Sequence, residues 1–104
     1  MKAENLLKQA ADVMNQRGKD YDKPDGERSM ARTVEAFNLI TGQKLTETEG
    51  WQFMETLKAV RIFTGKTRHE DSMLDGIAYA SLKAESGINE NMRIEEIDRK
   101  VNPD

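Results

Sequence analysis

Six side chains in the second half of the chain combine charge and spacing in a way that suits binding chemistry. Asp71, Asp75 and Tyr79 recur at i, i+4 and i+8, with Leu82 at i+11, so a helix would carry them on one stripe. Upstream, Glu55, Lys58 and Arg61 follow one another at steps of three, the spacing of a second helical stripe. An antiparallel hairpin turning at Gly65 sets Lys58 near Asp75 and Arg61 near Asp71. Two arrangements satisfy such opposed stripes: a partly buried network of ion pairs between helices, or the lining of a pocket for a charged ligand. The chain has no cysteine and one histidine, which excludes thiolate chemistry and His-rich metal sites and leaves carboxylates to hold any hard cation. That histidine, His69, falls in the first turn of a helix, where a lone imidazole reads as an exposed polar residue rather than a general base.

A second concentration of chemistry lies in RGKDYDKPDGER, residues 17 to 28, where Tyr21 stands between Asp20 and Asp22. Such a stretch is either an elaborate linker or the rim of a site. It is not a calcium loop, because in the register that starts at Asp20 the sixth position is Asp25 where Gly is needed, and the twelfth is Ala31 where Glu is needed. No phosphate-cradling glycine string occurs, and no serine sits in a nucleophile elbow.

The elements that must position these residues are helical throughout. Residues 3 to 17 space Leu6, Leu7, Ala10, Val13 and Met14 on one face, with Arg17-Gly18 as a stop. Residues 28 to 41 do the same with Met30, Val34, Phe37 and Ile40, ending at Gly42. A third helix opens on the capping box Thr46-Glu47-Thr48-Glu49 and carries Trp51, Met54, Leu57, Val60 and Ile62-Phe63. A fourth opens on Thr67-Arg68-His69-Glu70 and runs through Met73, Ile77, Ala80 and Ala84 to a stop at Ser86-Gly87. Trp51 and Phe37 read as core. Period-two alternation is absent, so the expected fold is all-α: an antiparallel helical bundle of four main helices over residues 1 to 87, with residues 88 to 104 as a tail or marginal helix around MRIEEIDRKV.

The totals narrow the function classes. A hydrophobic fraction of 37% beside a charged fraction of 34% describes one small-cored domain in a chain of 104 residues. Neither a membrane span nor a signal peptide is visible, so a cytoplasmic location is expected. A net charge of −3 argues against nucleic acid as a partner. A short bundle buries little surface alone, and self-association into a homo-oligomer is expected.

The run LLKQAADVMNQRGKDYDKP, with VEAFNLITG, ETLKAVRIFTG and HEDSMLDGIAYASL after it, resembles a family of small, uncharacterised, mostly phage-encoded helical domains. The resemblance spans roughly residues 5 to 86, and Lys19-Asp20-Tyr21 together with Lys58, Arg61, Asp71, Asp75 and Tyr79 carry it. That family is similar, more remotely, to the all-α MazG-like nucleotide pyrophosphohydrolases, which use magnesium held by carboxylates. The resemblance implies a MazG-like bundle in the host cell cytoplasm, binding a nucleotide or other phosphate ligand in a charged interhelical cleft. Glu55, Asp71 and Asp75 would then hold Mg²⁺, Lys58 and Arg61 would bind phosphate, Tyr79 would line the ligand site, and Asp20 and Tyr21 would close its rim. The MazG-like pattern has E-x-x-E on one helix and E-x-x-D on the next. Here Lys58 follows Glu55, and the acids of the next helix are Asp71 and Asp75 at i, i+4. The implied function is therefore nucleotide binding by a degenerate pyrophosphohydrolase scaffold, and the alternative is a non-catalytic phage accessory protein that binds a host or phage protein through its helical surface.

Overall fold

The computed structural model describes residues 1–20 and 29–101, with side chains from residue 17 to 20 left aside. Four helices follow in order: α1 (Ala3–Asp20), α2 (Met30–Thr41), α3 (Glu47–Phe63) and α4 (Glu70–Val101). No strand occurs among the described residues, and the fold is an all-α helical bundle as the sequence pattern predicts.

The α3–α4 hairpin is its spine. Thr48 meets Ser86 and Glu90 at one end, and Lys58 meets Asp75 towards the other, so residue numbers rise on α3 as they fall on α4. Capping fixes where α3 begins: the Thr46 hydroxyl accepts the Glu49 amide at 3.1 Å while the Glu49 carboxylate accepts the Thr46 amide at 3.0 Å. This is the reciprocal box read from the sequence. Against this spine, α2 packs on α3 and α1 packs on α4.

The main core gathers where α2 meets the hairpin. Met30, Val34 and Trp51 are buried, with Leu45, Met54, Tyr79 and Leu82 packed around them. Gly50 allows the approach, since a Cβ there would lie 2.5 Å from Met30 Sδ and 2.7 Å from Val34 Cγ2. Asn38 closes the connection that follows: its amide donates to the Leu45 carbonyl at 2.9 Å, and its carbonyl oxygen accepts the Leu45 amide at 2.9 Å. The turn out of α2 uses Gly42 at φ 73°, a left-handed cap that donates to the Asn38 carbonyl at 2.8 Å.

Several expectations need correction. Gly18 does not stop α1, which continues to Asp20, and Gly87 does not stop α4, which runs unbroken for 32 residues to Val101. A glycine inside a helix costs only about 1 kcal/mol relative to alanine, so it ends a helix only where the backbone turns left-handed, as at Gly42. The segment from residue 88 is thus the second half of α4 and not a separate helix. The Thr67 cap does not form either. His69 precedes the first residue of α4, and its Nδ1 accepts the Ser72 amide at 3.3 Å. Phe37, expected in the core, is 44% exposed because Met30, Val34 and Asn38 take the positions of α2 that meet α3 and its leading loop.

Candidate functional site

The site predicted from charge spacing is built on the middle of the hairpin. Lys58 of α3 and Asp75 of α4 form an ion pair at 2.9 Å, with their side chains only 12% and 18% exposed. The register that sets them opposite each other is the one expected from a turn near Gly65. One helical turn earlier on α4, Asp71 is exposed, and so is Arg61 on α3. No ion pair joins Arg61 to Asp71 among the described residues.

Glu55 is drawn elsewhere. Its Oε2 lies 2.8 Å from Lys83 Nζ, and the same ammonium donates to Gln52 Oε1 at 2.9 Å. Glu55 Oε2 is fully enclosed and lacks a well-aligned hydrogen bond, so the close ammonium charge is what compensates its burial. Lys83 is a site neighbour that charge spacing alone missed. The hairpin register was a usable signal for it, because extending the pairing of Lys58 with Asp75 by two turns puts residue 83 opposite residue 50, from where its long side chain reaches Gln52 and Glu55.

Tyr79 faces the core rather than open space. Its ring stacks on Trp51 with centroids 5.8 Å apart and planes 29° from parallel, an offset contact that adds to simple burial. Asp20 is the last residue of α1, where only the backbone is described, and Tyr21 lies outside the described residues. The linker-or-rim question of residues 17 to 28 therefore rests with residues outside that description.

Asp71 and Asp75 do share a cavity. A cleft of about 200 Å³ opens between α1 and α4, lined by Ala10, Val13, Asp71, Leu74, Asp75 and Ala78. Small side chains make this space: Ala10 and Ala78 are buried, and neither fills the gap between the helices. Asp75 consequently has Lys58 on its α3 side and the cleft on its α1 side. The arrangement offers two carboxylates one turn apart, an apolar wall and an ammonium behind the inner acid. Among the described residues, no three His, Cys, Asp or Glu side chains converge as a metal cluster.

Among the described residues, His69 and Ser72 form a contact that resembles a nucleophile with its base, at 2.6 Å between Nδ1 and Oγ. Ser72 is 1% exposed, so no substrate reaches it, and the pair serves the helix start. At the opposite end of the hairpin the Thr48 hydroxyl donates to Glu90 Oε1 at 2.6 Å and therefore accepts from Ser86 at 2.8 Å. This polar contact ties the beginning of α3 to α4.

A family model described as a domain of unknown function, DUF6378, matches residues 5–87. The chain belongs to the DUF6378 family. The DUF6378 match takes in all of α2 and α3, the cleft and the Lys58–Asp75 pair, and it stops where α4 passes Gly87. No curated protein and no solved structure matches the chain.

Proposed function

We propose that the cleft between α1 and α4 binds a nucleotide or a related phosphate ligand together with Mg²⁺, in a phage-type protein of MazG-like ancestry whose catalytic equipment is reduced. The observation that carries this reading is the pair of carboxylates, Asp71 and Asp75, lining one cavity from successive turns of α4. Magnesium is commonly held by one or two protein carboxylates, with water and the phosphates of the ligand completing its shell. Two acids therefore suffice for a nucleotide-bound ion. Glu55, paired with Lys83, stands outside this set, which supports binding over hydrolysis. Lys58 contributes positive charge beside Asp75, and the apolar wall of Ala10, Val13 and Leu74 suits the uncharged part of a ligand. Self-association accompanies this reading, because the chain leaves a large apolar surface uncovered.

A melting-temperature screen of nucleoside triphosphates tests it. A ligand bound only to the folded state at a hundred times its dissociation constant adds about 2.7 kcal/mol, worth several degrees in a domain of this size. The expected result is an upward shift with Mg²⁺ that EDTA removes and that Asp71→Asn reduces, Asp71 being exposed and free to change without loss of fold. Pyrophosphate release in the same mixture would show that hydrolysis has been kept. If no nucleotide moves the midpoint with or without metal, the reading fails. The accessory-protein reading then takes its place, supported by Leu39 and Ile40 of α2, which are 82% and 84% exposed.

A further inference from the structure

Helix α4 outruns its partner. Its α3-facing stripe passes through Tyr79, Lys83, Ser86 and Glu90, which touch Trp51, Glu55 and Thr48 in turn. Thr48 is the second residue of α3, so α3 ends at the level of Glu90. The stripe does not end there. At the same steps of four and three it continues into Ile94, Ile97 and Val101, which are 63%, 61% and 70% exposed. The face of α4 that is covered by α3 below Glu90 is thus apolar and bare above it.

The area left open is large. A compact chain of 11.8 kDa exposes roughly 5,900 Å², whereas this one exposes 8219 Å². Its radius of gyration is 16.5 Å, against roughly 13 Å for a compact domain of the same length. The surplus, about 2,300 Å², exceeds the roughly 800 Å² that each partner gives up in a dimer of ordinary size. That surplus belongs to the whole chain, and the bare stripe of α4, with Ile94, Ile97 and Val101 each more than half exposed, is one part of it that a second copy could cover.

We propose that a second copy of the chain covers this stripe, with its own residues 91–101 seated antiparallel on ours so that they prolong the line of α3. The inference rests on the self-association proposed above and names its surface. The seat is about 16 Å long, eleven residues of helix, and the overhang of another copy matches that length. A parallel seating is excluded by the fold, because α4 of the second copy would run down into the space that α3 fills. Antiparallel seating carries the second body away and gives an isologous two-fold contact. Ile94 of each copy then lies against Ile97 of the other, and each Val101 reaches the level of the other's Glu90. The flank beside the stripe carries Arg93, Glu96 and Lys100, with Lys100 held 3.5 Å from Glu96, so its charges alternate and present no row of one sign.

The absence of cysteine from the chain makes single-cysteine cross-linking a clean test. Sedimentation of the full chain first establishes whether it associates, and a monomer at every concentration would overturn both self-association and this surface. Given a dimer, Ile94→Cys and Ile97→Cys are expected to cross-link on mild oxidation. Val101→Cys is expected not to, because antiparallel seating holds the two copies of that position about 16 Å apart. Ready self-cross-linking of Val101→Cys would show parallel seating and overturn the proposal. Ile94→Glu with Ile97→Glu should return the chain to a monomer of unchanged helicity, both positions being exposed in the single chain. A dimer that survives this double change would place the interface elsewhere.

Discussion

Lys58 and Asp75 hold most of what charge spacing revealed about this protein. At 12% and 18% exposure their ion pair is neither a solvated surface contact nor fully interior. That position sets the size of its effect. An exposed pair contributes about 0.5 kcal/mol, while removing one member of a buried pair leaves the other charge uncompensated at a cost of about 3 kcal/mol. Asp75→Ala is therefore expected to lower stability by about 2 to 3 kcal/mol, which chemical denaturation would register as a clear drop in the unfolding midpoint. A midpoint equal to the parent's would mean that Lys58 remains hydrated without its partner. This pair was readable from sequence because two stripes and one turn determine a register. The same spacing puts Tyr79 on that stripe, and the structure stacks its ring on Trp51. A stripe identifies which residues share a face of a helix, but a ring at its edge can turn to the core or to the cleft, and only the packed neighbours settle which.

Glycine is where sequence and structure diverge at the level of elements. Of the positions read as helix stops, Gly42 adopts a left-handed cap, whereas α1 passes through Gly18 and α4 through Gly87. The residue permits a left-handed turn without requiring one. Gly50 shows a different use, in contact between elements, that no local pattern announces because the atoms it makes room for come from α2. Gly50→Ala sets two effects against each other. Alanine favours the helix by about 1 kcal/mol, but its Cβ would stand 2.7 Å from Val34 Cγ2, and Val34 is a β-branched side chain with little rotamer freedom. Overpacking of this kind costs about 1 to 3 kcal/mol, so the net expectation is a modest loss of stability. Near-ultraviolet circular dichroism of Trp51, which shares that cluster, should change with it. A stability gain with an unaltered Trp51 signal would mean that α2 does not pack as closely as described.

At the scale of the whole molecule, the helical bundle and its small buried surface were readable, and the positions left bare were not. Apolar periodicity predicts which face a helix buries, and it assumes that something within the chain covers that face. Here Phe53 and Val60 of α3 and Ile94, Ile97 and Val101 of α4 keep the helical spacing of buried positions while remaining exposed. The family match closes at residue 87, before the bare part of α4 begins. If a second copy supplies the missing cover, folding and association become one equilibrium. Anything that binds the folded chain alone raises its stability in proportion to RT times the logarithm of its concentration, and a partner chain is no exception. Melting temperature should then rise with protein concentration, by several degrees between micromolar and near-millimolar chain. The measurement needs only calorimetry at a series of dilutions in one buffer. A monomeric fold gives the same midpoint at every dilution, and that result would mean the exposed apolar positions are tolerated without a partner copy. A midpoint that climbs in the parent but stays level in the Ile94→Glu, Ile97→Glu chain would tie the stability of the whole molecule to the bare end of α4.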